Sequence, residues 1–185
     1  VIQYTLKPAE DIKLSKITTL KNDLCLALSA QAIRIEAPIP GKGLVGIEVP
    51  ARERSIVHLG SILRLTTFQS TGGDLKFVLG RDVSGHPLFS DLTKMPHLLI
   101  AGQTGSGKSI GINAILISYL FQHSPETLRM ILIDPKRVEL TNYNGIPHLL
   151  TPVITEPDKA LQALKWAVSE MNRRYKELAR KGKRN

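Results

Sequence analysis

The chain has 185 residues, 42% of them apolar and 22% charged, with a formal net charge of +9 at pH 7. That is enough chain for one or two small domains with a real core, which excludes a peptide, a disulfide-stapled miniprotein and a wholly disordered chain. The single cysteine, Cys25, permits neither an internal disulfide nor a cysteine-based zinc site, which suits a reducing cytoplasmic setting. No run approaches the ~18 apolar residues of a membrane span. Val1 opens no signal-peptide pattern, and a start without Met reads as a piece of a longer protein.

The positive charge is unevenly placed. Residues 172–185 contain seven Lys or Arg and one Glu, a net of +6, which leaves +3 for residues 1–171. Such a run is either the solvated end of a helix or a contact for nucleic acid.

At the N-terminus Ile2, Tyr4 and Leu6 alternate with Gln3 and Thr5, which predicts a half-buried strand stopped at Pro8. Ile17, Leu20, Leu24 and Leu28 then recur at helical spacing. They predict an amphipathic helix from an N-cap at Ser15 to near Ser29, with Cys25 as a small core residue. β-rich runs at 32–37 and 44–49 flank a Pro/Gly loop and predict antiparallel strands, with a further short strand expected at 55–59. Residues 1–68 therefore read as a small α+β domain in which no cluster of His, Cys or carboxylates suggests chemistry.

The polar, Gly-rich stretch 69–74 is the expected domain boundary, so that residues 69–185 form a second domain. There, 76–80 and 87–89 flank a hairpin turn. His97-Leu98-Leu99-Ile100-Ala101 is a continuous apolar run between Pro96 and Gly102, the pattern of a central parallel strand covered on both faces. An apolar helix over 110–121 and a second buried strand over 130–133 complete a βαβ unit, which demands a parallel sheet. The last helix carries Leu161, Leu164, Val168, Met171, Tyr175 and Leu178 as one apolar stripe. Thr155 is its expected N-cap, with Pro157 in the first turn and Asp158 at the positive end of the dipole.

Between the first strand and its helix, Gly102-Gln103-Thr104-Gly105-Ser106-Gly107-Lys108-Ser109 is a complete G-x-x-x-x-G-K-S phosphate loop. A polyphosphate is wrapped by consecutive backbone N–H donors, which takes a loop that tolerates positive φ and carries few obstructing side chains. Lys108 places a point charge on the β- and γ-phosphates, and the Ser109 hydroxyl ligates Mg²⁺. The helix that follows points its positive end at the anion. Asp134 stands at the carboxyl end of the second strand, where it holds Mg²⁺, usually through water, or simply starts a turn. Glu139 follows in the same loop and either polarises the attacking water or is an exposed loop glutamate. Neither N-K-x-D nor L-S-G-G-Q occurs, which removes the GTPase and ABC-transporter readings and favours ATP. The expected catalytic residues are thus Lys108, Asp134 and Glu139, and the expected metal donors Ser109 and Asp134.

Several stretches together resemble the FtsK/SpoIIIE family of DNA translocases. They are Lys94-Met95-Pro96-His97 running into the phosphate loop, Asp134-Pro135-Lys136-Arg137-Val138-Glu139-Leu140, Ile146-Pro147-His148-Leu149-Leu150, and Glu170-Met171-Asn172-Arg173-Arg174-Tyr175. Upstream, Ile39-Pro40-Gly41-Lys42 and residues 45–50 look like that family's small α domain. Ala51 departs from the usual Asn and Gln103 from a smaller residue, and neither touches the phosphate-binding logic.

The resemblance implies an α/β fold: a RecA-like P-loop NTPase sheet, cut short at Asn185 and preceded by the small α+β domain. It implies a motor that uses ATP and Mg²⁺ to move along double-stranded DNA in chromosome segregation and cell division, or sporulation. Such motors form a homo-hexameric ring, and the DNA-facing loops and a γ domain would lie beyond Asn185. The chain would be a cytoplasmic part of a protein anchored in the bacterial inner membrane by upstream segments. Alone, it would turn over ATP weakly or not at all. Arg173 and Arg174 are the candidates for an arginine finger. Two other readings stay open: a conjugation or secretion motor of the HerA/VirD4 group, and an assembly module in which nucleotide only orders the fold.

Overall fold

The computed structural model describes residues 1–51 and 56–182. Its first sheet is antiparallel, built from β1 (Ile2–Leu6), β2 (Arg34–Glu36) and β3 (Val45–Val49) in the order β1-β3-β2. Ile47 sits opposite Tyr4 on one side and Ile35 on the other. β3 takes the middle because Val45 and Ile47 are the side chains of this sheet that find a core, and both are buried. The predicted strands are therefore present, but Ile2, Tyr4 and Leu6 are exposed and the half-buried face expected of β1 is open.

The helix expected from Ser15 to Ser29 is instead two, α1 (Leu14–Thr19) and α2 (Lys21–Ala27). The reason lies in Thr18 and Thr19. Their hydroxyls donate back to the carbonyls of Ser15 at 3.0 Å and Lys16 at 2.9 Å, a bond that bends helices, and β-branching adds crowding. Lys13, not Ser15, occupies the N-cap, and Cys25 is only half-buried rather than in a core. Of the strand expected at 55–59, Ser55 lies outside the described residues, and 56–58 are irregular with a helix starting at Leu59.

That helix is α3 (Leu59–Leu63), followed by α4 (Thr66–Ser70) and a hairpin of β4 (Lys76–Arg81) and β5 (Pro87–Asp91) with a bulge between Val78 and Gly80. The side chains of Ile62, Leu63, Phe68 and Val78 form one buried cluster. Phe68 is 1% exposed and meets Phe89 edge-on, ring centroids 5.0 Å apart. Lys76 Nζ completes the unit by donating to the carbonyls of Phe68 at 2.7 Å and Thr71 at 2.5 Å, which the end of α4 leaves without helical partners. Phe68→Ala is expected to cost about 3–5 kcal/mol, read as a lower midpoint in urea unfolding.

Two compact units emerge, Val1–Lys94 and Met95–Asn185. The division expected between 68 and 69 does not coincide with this one. It falls inside the first unit, where Phe68 packs against Val78 of the hairpin: Gln69 and Ser70 end α4, and 71–74 is an exposed connection between two segments that share a core.

In the second unit α5 (Lys108–Gln122) spans the apolar run expected to be helical, and α6 (Pro157–Arg180) covers the whole apolar stripe that predicts it. The α6 cap is Glu156 rather than Thr155, and Pro157 opens the first turn. The strands differ more. Met130 and Ile133 form isolated parallel bridges to Leu149 and Ile154. The run 97–101 forms no ladder among the described residues, and Leu99 is 90% exposed. A strand exists only through its neighbours' N–H and C=O groups, which apolar patterning alone does not supply. Around the bridges, Leu116, Leu132 and Val153 form the unit's buried cluster, with Met130, Leu140 and Tyr143 packed against it. The apolar stripe of α6 is not part of that core: no residue of the helix is buried. No helix among the described residues is long and apolar enough to cross a membrane.

Candidate nucleotide site

The phosphate loop lies exposed immediately before α5, and Lys108 and Ser109 are half-buried in its first turn. Gly105 and Gly107 take the left-handed conformation, φ +81° and +91°, which a side chain would strain. At Gly102 the constraint is space, since a Cβ there would run into Ser106 Oγ. The loop is closed by the Ser106 N–H donating to the Gln103 carbonyl at 3.1 Å. Gly107 caps α5 with no side-chain bond, so the first N–H groups of the helix face outward and concentrate its positive end at the loop. No acidic residue occupies the first turn, and Lys108 forms no ion pair among the described residues. Its charge is uncommitted.

Asp134 is positioned by the parallel pairing, its N–H donating to the Ile154 carbonyl at 2.8 Å, and it is 5% exposed. Its carboxylate is turned into the following loop. Oδ1 accepts the Arg137 N–H at 3.1 Å, and Oδ2 accepts those of Glu139 at 2.9 Å and Leu140 at 3.0 Å. These bonds, those from Leu140 and Glu139 foremost, hold the Asp134 carboxyl below its ordinary value against the opposing effect of burial. Arg137 sits at φ +60°, a left-handed turn that the same carboxylate stabilises.

The folded-back loop delivers Glu139 to α5. Ser109 Oγ donates to Glu139 Oε1 at 2.6 Å, across thirty positions of sequence. Of the residues expected in the site, the structure thus brings Ser109 and Glu139 into contact, while Asp134 reaches them through the backbone of Glu139. Glu139 is half-buried rather than an exposed loop glutamate. A hydroxyl and a carboxylate are hard oxygen donors at the start of a phosphate-binding helix, a set that fits Mg²⁺ bound together with substrate phosphates.

Two residues of the site had no chemical signal in the sequence. Asn113 Nδ2 donates to the Ser109 carbonyl at 2.8 Å, and the Tyr143 hydroxyl donates to Asn113 Oδ1 at 2.5 Å. The I-P-H-L-L stretch also gains a physical role. His148 Nε2 donates to the His123 carbonyl at the end of α5, at 2.9 Å, and Leu149 bridges to Met130. Arg173 and Arg174 are engaged within α6. Both pair with Glu170, at 2.7 and 2.8 Å, and Arg173 also with Glu177. The Arg173 and Arg174 hydrogen bonds pull the Glu170 carboxyl down to about 2.

Comparison with known proteins gives the family. Residues 1–51 match the FtsK alpha domain, and residues 58–185 match the FtsK/SpoIIIE family. The DNA translocase FtsK of Clostridium tetani is 53% identical over 185 residues, all of this chain and 25% of the relative. That of Halalkalibacterium halodurans is 54% identical over 185 residues, again the whole chain and 23% of the relative. That of Campylobacter jejuni is 52% identical over 179 residues, 97% of this chain and 19% of the relative. The chain therefore spans about a quarter or less of the curated relatives it matches. Among solved structures, the pCW3 conjugation coupling protein TcpA, in monomer form with ATPgS, superposes with a TM-score of 0.51 at 27% identity. The match covers 99% of this chain and 48% of that one, and places the α/β fold with the RecA-like P-loop NTPases. Because the family match takes in the phosphate loop, Asp134 and Glu139 alike, the chain belongs to the FtsK/SpoIIIE family.

Proposed function

We propose that this chain is the α-domain and phosphate-loop segment of an ATP-driven motor that translocates double-stranded DNA in bacterial chromosome segregation and cell division, or sporulation. The observation that carries the reading is the Ser109–Glu139 contact, because it sets a carboxylate beside the metal-binding hydroxyl of a phosphate loop. Gly102, Gln103, Thr104, Gly105, Ser106 and Gly107 offer backbone N–H groups to the phosphates, and Lys108 neutralises charge on the transferred group. Ser109 and Asp134 would hold Mg²⁺, Asp134 through water because its oxygens already accept three N–H groups. When bound, Mg²⁺ would supply charge neutralisation on the phosphates. Glu139 orients the attacking water.

The protein acts as a homo-hexameric ring on duplex DNA, and contacts DNA mostly through parts outside this chain. The chain is a cytoplasmic portion of a protein held in the bacterial inner membrane by segments upstream. The small α+β domain, 1–68 by its sequence pattern, contributes to the ring, and 69–185 contributes the motor. The likeness to a conjugation coupling protein supports a second reading, a coupling ATPase. The FtsK relatives, at 52–54% identity, support the translocase reading more strongly.

The test is ATP-dependent displacement of a triplex-forming strand from linear duplex by the parent protein. ATP hydrolysis without displacement, or movement on single strands alone, refutes the translocase. The 185-residue chain alone is expected to bind ATP and to turn it over weakly or not at all. Steady-state hydrolysis by the purified chain that rises on addition of duplex DNA contradicts this.

A further inference from the structure

Two rungs join the phosphate-loop helix to the segment after Asp134. The first is the bond from Ser109 Oγ to Glu139 Oε1, and the second the bond from the Tyr143 hydroxyl to Asn113 Oδ1. Each spans thirty positions, so that 109 faces 139 and 113 faces 143. On a helix a spacing of four puts Ser109 and Asn113 on one face, a turn apart. The 3₁₀ turn Thr141–Tyr143 carries the other strand of chain from one rung to the next.

The second rung is fully determined. The Ser109 carbonyl can only accept, so Asn113 must present Nδ2 to it and Oδ1 to Tyr143. Tyr143 must then donate. Burial raises its phenol above the ordinary value, so the hydroxyl keeps its proton throughout the physiological range. Its ring is packed against the Leu116–Leu132–Val153 cluster, which stops the hydroxyl from swinging away.

We propose that Asn113 and Tyr143 are positioning residues that hold Ser109 in place to bind Mg²⁺ with nucleotide and keep the Glu139 loop beside it, an inference that rests on the nucleotide reading above. A Ser109 hydroxyl turned to a metal would open the first rung. The second lies a turn further along α5 from the phosphate loop and would not compete with such a ligand. It keeps the Glu139 loop in register while the first bond is exchanged.

The test uses the 185-residue chain and a fluorescent ATP analogue, titrated once with Mg²⁺ and once in EDTA, beside a thermal melt. Tyr143→Phe removes the hydroxyl and leaves the ring in place. It is expected to reduce the affinity gained from Mg²⁺ by roughly fivefold, the worth of one hydrogen bond, with affinity in EDTA unchanged. Asn113→Asp still accepts from Tyr143 but cannot donate to the Ser109 carbonyl, and is expected to show a similar loss. The two changes combined should lose little more than either alone, because the rung works as a unit. Parallel losses with and without Mg²⁺ that track a lower melting temperature make the pair merely structural and overturn the proposal. Unchanged Mg²⁺ dependence in both variants, with the unmodified chain binding normally, overturns it while leaving the nucleotide reading intact. An unmodified chain that binds no nucleotide removes both.

Discussion

Lys108→Ala is expected to abolish nucleotide-driven function while leaving the fold intact. Lys108 stands at the first position of α5, after a left-handed Gly107, with no carboxylate paired to it among the described residues. Its removal breaks no ion pair and no helix bond, so the melting curve should move by no more than about 0.5 kcal/mol in stability. What is lost is the cation that offsets charge on the β- and γ-phosphates. Removing one such preorganised group costs on the order of a hundredfold or more in turnover. In the chain itself the loss is read as weaker binding of a fluorescent ATP analogue, and in the parent protein as failed strand displacement. Lys108→Arg should not rescue, because a planar fork does not replace a compact ammonium at the end of a tight loop. Displacement that survives Lys108→Ala removes the motor reading and leaves the assembly module, in which nucleotide only orders the fold.

The phosphate loop could be read from sequence because its chemistry is local. Wrapping an anion in backbone N–H groups needs glycines, a lysine and a hydroxyl at adjacent positions, and Gly105 and Gly107 adopt the backbone that this demands. Asp134 was legible only as a residue type at a strand end. Which atoms it binds depends on how residues 135–140 turn, and the left-handed Arg137 that makes the turn carries no signature. Tyr143 was silent for a different reason: its partner lies thirty positions away, and a tyrosine beside an I-P-H-L-L stretch looks like any core aromatic.

The helices of the second unit followed from their own sequence, α5 from a long apolar run and α6 from periodicity, whereas its strands did not. Helical hydrogen bonds close within the segment that shows the pattern, so α5 forms over its apolar run and α6 where its stripe lies. Residues 97–101 have the composition of a central strand, but a ladder is a property of two segments. The same distinction explains α1 and α2. The apolar spacing is continuous through Leu20, and the break comes from Thr18 and Thr19 hydroxyls competing for backbone carbonyls.

Asp134→Ala should do more damage to the site than its loss as a metal ligand predicts. The carboxylate gathers the N–H groups of Arg137, Glu139 and Leu140, and these bonds are what place Glu139 against Ser109. Alanine leaves the Glu139 and Leu140 N–H groups without their acceptor, while that of Arg137 keeps the backbone carbonyl of residue 134, so hydrogen exchange at Glu139 and Leu140 should accelerate by on the order of tenfold or more. Asp134→Asn is not a mild substitute. It keeps one accepting oxygen but turns an NH₂ toward donors that need an acceptor. Both variants should lose the Mg²⁺-dependent part of nucleotide affinity, since each removes the Asp134 carboxylate that would hold the metal with Ser109. Acid should mimic them in the unmodified chain. The folded Asp134 titrates below its ordinary value, so the unfolded chain takes up the proton first as pH falls. The stabilisation is complete above the unfolded carboxylate value of about 3.9 and is lost as pH drops toward the lower folded one. A loop-specific probe, exchange at Glu139 and Leu140, should therefore show loosening below about pH 4. That step should be absent in Asp134→Asn. If exchange at these amides is the same in the unmodified chain and in Asp134→Ala, the carboxylate is not what folds the loop, and the placement of Glu139 needs another cause.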